Sequence, residues 1–351
     1  MASKNAVGLD IGTSSIKVAH VKESSKGVQL LAFDTVMLPP DTIRDGVILN
    51  APLLAQRIAE VFAINKIRQK QVAVSLSGHA VIIKKISLPE MTVAELEDSI
   101  QWEAEQYIPF DIKDVHVDFQ IIDAQAGQGQ MDVLLVAAKK AVIEELCDVV
   151  RAAKLEPVLV DVDAFALYNA FELSFPVPQD ETIALINAGA STININVVSG
   201  GMTSFTRDIT VGGNLLTEEI SKQFAVPWDE AEHMKTTSET TLSMSGVLRE
   251  VQRISSRVSE VLVSEIQRSL DFFAATAVSA DISAIYLCGG AALQPGLIEG
   301  LERRLGTPVR ALNPFNNLIV DPKRFDAALL QRMAPIAAVA VGLGLRRQGD
   351  R

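Results

Sequence analysis

One pattern occurs twice in this chain, and it limits the fold more than any other feature. "LDIGTSSIKV" (residues 9–18) matches "INAGASTINI" (residues 186–195) position by position: acid or amide, apolar or small, glycine, small, Ser/Thr, apolar. Each copy reads as an apolar strand, a turn of small and hydroxyl residues, and a returning strand. Two copies of one hairpin imply two duplicated lobes facing each other. The length of 351 residues agrees, since a single compact core holds about 100–200.

The spacing around the copies fills in the lobes. Residues 5–11, 16–21 and 27–38 read as an antiparallel meander, 51–64 as a helix with Leu54, Ile58, Val61 and Phe62 on one face, and 71–76 as a buried strand. Punctuation then changes. A stretch opens on Pro89, starts a helix with the capping box Thr92 to Glu95, and closes at Pro109. An alternating strand at 115–122, a turn, a return strand at 132–138 and a helix over about 139–153 follow. Residues 86–156 are therefore expected to form an inserted subdomain. Residues 1–85, 157–178 and 331–351 are assigned to lobe I and 179–330 to lobe II, with "PVPQD" (176–180) as the crossing. The spacing over 243–273 predicts lobe II helices rather than a coiled coil. The fold class is α/β.

The turns themselves point to a ligand. Small residues let main chain approach closely, and consecutive amides form an anion-binding concavity. Gly12, Thr13, Ser14, Ser15 and Lys17 suit a phosphate, as do Gly189, Ala190, Ser191 and Thr192 in the second copy. Asp10 would repel phosphate unless a divalent cation lies between them, which points to Mg²⁺ with a nucleotide. A plain hairpin with a polar turn explains either copy alone; the pair explains itself less easily that way. A third motif, "IYLCGGAALQPGL" (285–297), ends an apolar strand in Gly289 and Gly290, which would let a ring or ribose lie on the main chain.

Charge and composition exclude other classes. Lys and Arg number 32 against 43 Asp and Glu, a formal charge of -11, with no dense basic run, so nucleic acid is not an expected partner. His20, His79, His116 and His233 lie apart with no ligand spacing, and Cys147 and Cys288 read as buried thiols in a reducing compartment. The start reads as no signal peptide, and the apolar run 334–345 is shorter than the ~20 residues of a membrane span. A cytoplasmic protein without direct membrane insertion is expected.

The ordered set of hairpin, linking strand, hairpin and Gly-Gly resembles the nucleotide-binding signature of the actin, Hsp70 and sugar-kinase superfamily. Within it, "LPEMTVAELEDSIQWEAEQYIPFDIKDVHVDFQII" and "EIQRSLDFF" are similar to the PilM family of type IV pilus assembly, close to FtsA. The resemblance implies an actin-like two-lobed ATPase fold of duplicated ribonuclease H-like lobes, with an FtsA-like subdomain 1C at the insert. It also implies ATP with Mg²⁺ in the cleft, and as partner the cytoplasmic N-terminal segment of PilN, bound on the 1A and 1C side. Other inner-membrane and motor components of the pilus are expected contacts.

Carried over residue by residue, Asp10 matches the metal-side aspartate, Gly12 to Ser15 the first phosphate loop, and Gly189 to Thr192 the second. Gly212 and Gly213 match the glycine pair near the phosphates, and Gly289 with Gly290 the adenosine site. Glu232 and Lys235 match a ribose-contacting pair, or equally form a salt-bridged helix face. The second loop departs from the pattern. Where the superfamily usually has an aspartate stands Asn187, which can neither accept a proton nor carry the charge that draws in Mg²⁺, so hydrolysis is expected to be slow. Asp161 is then the favoured residue for orienting a water, with Asp163 beside it.

Three functions compete. One is an ATP-binding scaffold whose nucleotide state shapes a peptide groove. Another is a sugar-kinase-type phosphotransferase, which needs the carboxylate base that Asn187 removes. The third is an FtsA-like filament-forming division protein, whose tail and amphipathic membrane helix the ending "VGLGLRRQGDR" does not supply. Trp102, Tyr107, Ile108 and Phe110 either line the peptide groove or form the core of the insert.

Overall fold

The computed structural model describes residues 5–127, 129–177, 180–236, 245–277 and 281–350. Of the expected crossing at 176–180, Pro178 and Gln179 lie outside the described residues.

Lobe I begins with β1 (Val7–Ile11), β2 (Ser15–Ser24) and β3 (Gly27–Met37), a short hairpin β4 (Ile43–Arg44) and β5 (Val47–Ile48), then α1 (Ala51–Ile64) and β6 (Gln71–Leu76). The chain next builds β7 (Val81–Pro89), α2 (Val93–Glu105), β8 (Val115–Gly127) and β9 (Gln130–Lys139). It returns through α3 (Lys140–Ala152), β10 (Glu156–Val162) and α4 (Asp163–Ser174). Lobe II holds β11 (Thr182–Ala188), β12 (Ile193–Ser199), β13 (Met202–Ile209), α5 (Asn214–Phe224), α6 (Trp228–Thr236) and α7 (Ser245–Thr276). It closes with β14 (Ile282–Cys288), α8 (Leu297–Leu305) and β15 (Val309–Ala311), and α9 (Ala327–Gly344) crosses back.

The duplication inferred from the hairpins extends to whole sheets. Lobe I has the strand order β3-β2-β1-β6-β10 and lobe II the order β13-β12-β11-β14-β15. In both, the first three strands pair antiparallel and the last three parallel. The central strands are covered on both faces: every residue of β12 from Ile193 to Val198 is buried, the polar Asn194 and Asn196 included. Val7 and Leu9 of β1 and Ile186 of β11 are equally inaccessible.

The insert is a three-stranded sheet, β7-β9-β8, covered by α2. The helix starts where the sequence predicts: Thr92 Oγ1 accepts from Glu95 N–H at 3.3 Å while Glu95 Oε2 accepts from Thr92 N–H at 2.8 Å. Its stripe of Leu96, Ile100 and Ala104 packs with Ile86, Leu88, Val133 and Leu135. Tyr107, Ile108 and Phe110 belong to this core, whereas Trp102 is 75% exposed.

Three details differ from the sequence reading. The insert sheet begins at Val81, and the helix α3, expected inside the insert, buries Leu146, Val149 and Val150 against the lobe I core beside Leu54 and Ile58. An amphipathic pattern shows that a face is buried but not which core covers it. Helix α9 is also longer than the apolar run suggests: over 18 residues it is long and apolar enough to cross a membrane. Here Ala334, Ala337, Ala340 and Val341 pack against Ala19, Val21 and Leu30 of lobe I, and Ala338 joins the α4 cluster.

Candidate functional site

Between the two sheets lies a cavity of about 1320 Å³, and both repeated turns line it. The turns close identically: Gly12 N–H donates to Ser15 O at 3.1 Å and Gly189 N–H to Thr192 O at 2.9 Å. They meet across the cleft, where the Thr13 and Ser191 hydroxyls share a hydrogen bond of 2.6 Å. Among the described hydrogen bonds, the amides of Thr13, Ser14, Ala190 and Ser191 have no protein acceptor. The site thus holds two unspent main-chain donor pairs, one from each lobe.

Main chain also packs behind the second turn. Gly213 N–H donates to Gly189 O at 2.9 Å and Asn214 N–H to Ala190 O at 2.7 Å, so the start of α5 is tied to the turn. A Cβ on Gly212 would stand 2.5 Å from Gly189 O, and one on Gly289, where φ is +90°, would stand 2.2 Å from Ala188 O. These two positions require glycine for close approach. Gly212 therefore supports the cavity wall from behind, while Gly213, Gly289 and Gly290 line it.

The charged residues divide the cavity. At the lobe I turn, Asp10 and Lys17 lie opposite each other in register and pair at 3.3 Å. Asp163 joins them from the start of α4, accepting from Ser75 Oγ at 2.5 Å. Burial and the neighbouring Asp10 carboxylate push its pKa up to about 6, against the hydrogen bonds from Ser75 and Ser77. Glu232 and Lys235 pair at 3.1 Å in the opposite wall, and Thr217 bonds both. They are at once a salt-bridged helix face and part of the cavity lining.

Asp161 does not reach the cavity. It is 7% exposed and pairs with Arg346 at 3.1 Å; burial raises its pKa while Arg346 lowers it. Alternation would put both aspartates on one face, but β10 ends at Val162 and α4 starts at Asp163, so the two side chains diverge. Of the two, Asp163 is the one in the cleft.

The remaining predicted residues, Asp10, Gly12, Thr13, Ser14, Ser15 and Lys17 from lobe I and Asn187, Gly189, Ala190, Ser191 and Thr192 from lobe II, all line the cavity. The sequence reading missed Ser75, Asn194 and Asp208, which line it too. Asn194 occupies the repeat position of Lys17, a usable signal; Asp208 becomes visible only through its pairing opposite Asn194.

Residues 8–348 match the model of the family described as type IV pilus assembly protein PilM. The chain belongs to the PilM family. Its fold superposes on a chain of the solved PilM-PilN type IV pilus biogenesis complex with a TM-score of 0.85 and 31% identity, covering 97% of this chain and 98% of that one. The ethanolamine utilization protein EutJ from Carboxydothermus hydrogenoformans shares the fold at a TM-score of 0.60 and 17% identity, over 98% and 90% of the two chains. Cell division protein FtsA of Neisseria meningitidis serogroup B is 26% identical over 87% of this chain and 83% of its own length. The two-lobed architecture is the actin-like fold.

In this PilM-family chain the departure at the second turn has a defined environment. Asn187 Nδ2 donates to Asn194 Oδ1 at 3.2 Å, and Asn194 Nδ2 donates to Asp208 Oδ1 at 2.8 Å. The other Asp208 oxygen accepts the Gly78 N–H of lobe I. Cys288 Sγ lies 3.8 Å from Asn187 Oδ1, and burial holds that thiol well above its usual pKa, so it stays neutral.

Proposed function

We propose that this chain is a nucleotide-binding scaffold of type IV pilus assembly, holding an adenine nucleotide with Mg²⁺ between its lobes and docking the cytoplasmic N-terminal segment of PilN. The observation that carries the reading is the pair of turns joined by Thr13 and Ser191, whose four residues with no described acceptor for their amides line one cavity. Amides in consecutive turn positions form an anion-binding concavity, and a polyphosphate supplies the acceptors.

The donor set fits the ion as well. Among the described residues no three His, Cys, Asp or Glu side chains cluster as a complete metal site. Mg²⁺ bound with a nucleotide uses one or two carboxylates and keeps waters and phosphate oxygens for the rest. Asp10 and Asp163 would supply those carboxylates, and the bound ion would neutralise phosphate charge. Lys17, paired with Asp10 at 3.3 Å, is placed to turn toward a phosphate oxygen. Gly289 and Gly290 leave room for the adenosine, and Glu232 with Lys235 for the ribose.

Chemistry is secondary in this reading. Asn187 cannot take a proton from water, and Asp163 already spends one carboxylate oxygen on Ser75, so turnover is slow. The nucleotide instead fixes how the lobes close.

The partner reading draws on the 31% identical chain solved in a PilM-PilN complex. It also draws on apolar residues at the lobe I side: Met37, Val47 and Leu49 are each more than half exposed, and Met37 and Val47 line the mouth of the cavity with Ile48 and Val142. The protein would act in the cytoplasm and reach the inner membrane through such partners. Calorimetric titration tests both parts. Saturable binding of Mg-ATP and of a PilN N-terminal peptide supports the reading, and absence of peptide binding with and without nucleotide rejects the partner.

A further inference from the structure

The hydrogen bonds around Asn187 form a continuous row. Asn187 faces Asn194 in the β11–β12 register, and Asn194 faces Asp208 in the β12–β13 register, so the three side chains stand side by side across three strands. The row ends outside lobe II, at the Gly78 N–H of the turn after β6. It therefore crosses the cleft.

Its direction is set chiefly by Asp208, with the Cys288 thiol a weak donor at the other end. An ionised carboxylate only accepts, so Asn194 must turn Nδ2 toward Asp208 and its oxygen toward Asn187. Asn187 must then answer with Nδ2, which leaves Oδ1 as its acceptor, met at 3.8 Å by the Cys288 thiol and with one lone pair to spare. Without Asp208 only the weak Cys288 S–H donor, 3.8 Å from Asn187 Oδ1, would oppose a flip of the two amides, which are nearly symmetric in size.

We propose that Asp208 is a positioning residue: bound to Gly78 of lobe I when the cleft is closed, it orients the Asn187 amide so that an oxygen acceptor faces the site where the superfamily has a carboxylate. Asn187 then keeps the acceptor half of an aspartate's role and lacks the basic half. Cleft closure and the order of Asn187 are one event, because the Gly78 N–H and the Asn194 amide hold the two oxygens of a single carboxylate. The value of this device for nucleotide binding rests on the function proposed above, whereas the hydrogen-bond row stands apart from it.

The test uses the full chain and two variants. Asp208→Asn has one acceptor oxygen for two donors, so either Gly78 or Asn194 loses its partner. In the ligand-free protein, either hydrogen exchange at the Gly78 amide should quicken by about 10-fold or the Asn187 side-chain amide resonances should shift, according to which donor loses its partner. Asn194→Leu cuts the row in the middle: the Asn187 resonances should shift while Gly78 stays protected. Unmoved Asn187 resonances in Asn194→Leu, or Gly78 exchange within about twofold of wild type together with unmoved Asn187 resonances in Asp208→Asn, overturns the proposal. Where wild type binds Mg-ATP, Asp208→Asn and Asn187→Ala should each weaken it by about 5–10-fold and together no more than either alone. Additive losses contradict the coupling. Failure of wild type to bind any nucleotide rejects the functional reading, and the ligand-free readouts still decide this one.

Discussion

Thr13 of lobe I and Ser191 of lobe II touch hydroxyl to hydroxyl at 2.6 Å, each at the tip of its own copy of the repeated hairpin. The contact holds the two donor turns at one separation before any ligand arrives. Replacing both groups should show how much of the site's preorganisation depends on it. Thr13→Val and Ser191→Ala are each expected to cost about 0.5–1.5 kcal/mol in Mg-ATP binding. A double-mutant cycle by calorimetry should find the losses non-additive, since the residues share one bond.

The glycines separate structure from binding. Gly289→Ala would put a Cβ 2.2 Å from Ala188 O at a positive φ, and should destabilise the fold by about 1–3 kcal/mol or more in a denaturant titration. Gly290→Ala meets nothing within 4 Å. It should fold with an unchanged denaturation midpoint and bind Mg-ATP at least about 10-fold more weakly, if the adenosine lies on this main chain.

The hairpins were legible because their residue types repeat at fixed spacing, and register follows from the turn: Asp10 falls opposite Lys17 and Asn187 opposite Asn194. The choice between Asp161 and Asp163 was not legible, since it depends on whether strand or helix geometry governs residue 163. Asp208 and Gly78 lie 130 residues apart and meet only because two lobes close on each other. No local pattern contains that contact. Residues Tyr107, Ile108 and Phe110 were read as groove or core, and packing against Val115 and Val133 decides for the core.

The pH dependence of stability should report Asp163. Its folded-state pKa of about 6 lies above the usual aspartate value, so between about pH 4 and pH 6 the folded protein holds a proton that the unfolded chain has lost. Stability of the ligand-free protein therefore falls as pH rises through that window and stays lower above it. Asp163→Asn keeps an acceptor for Ser75 and removes the charge. It should raise the thermal midpoint at pH 7.5, by at most about 3 kcal/mol in stability, with the gain vanishing near pH 4.

Partner and nucleotide should be separable by mutation. Leu49 is 53% exposed just after the β4–β5 hairpin and outside the cavity lining, so Leu49→Glu should fold normally. It should weaken binding of a PilN N-terminal peptide by at least about 10-fold in a fluorescence titration and change Mg-ATP affinity by less than about twofold.

The central claim is that paired turns, one from each lobe, grip a polyphosphate from both sides, and a crystal structure of this chain grown with Mg²⁺ and a non-hydrolysable ATP analogue tests it most directly. The account predicts phosphate oxygens within hydrogen-bonding distance of the Thr13, Ser14, Ala190 and Ser191 amides, with Asp10 and Asp163 on the metal side. Phosphates bound elsewhere, or a cleft without nucleotide at saturating concentration, would contradict it.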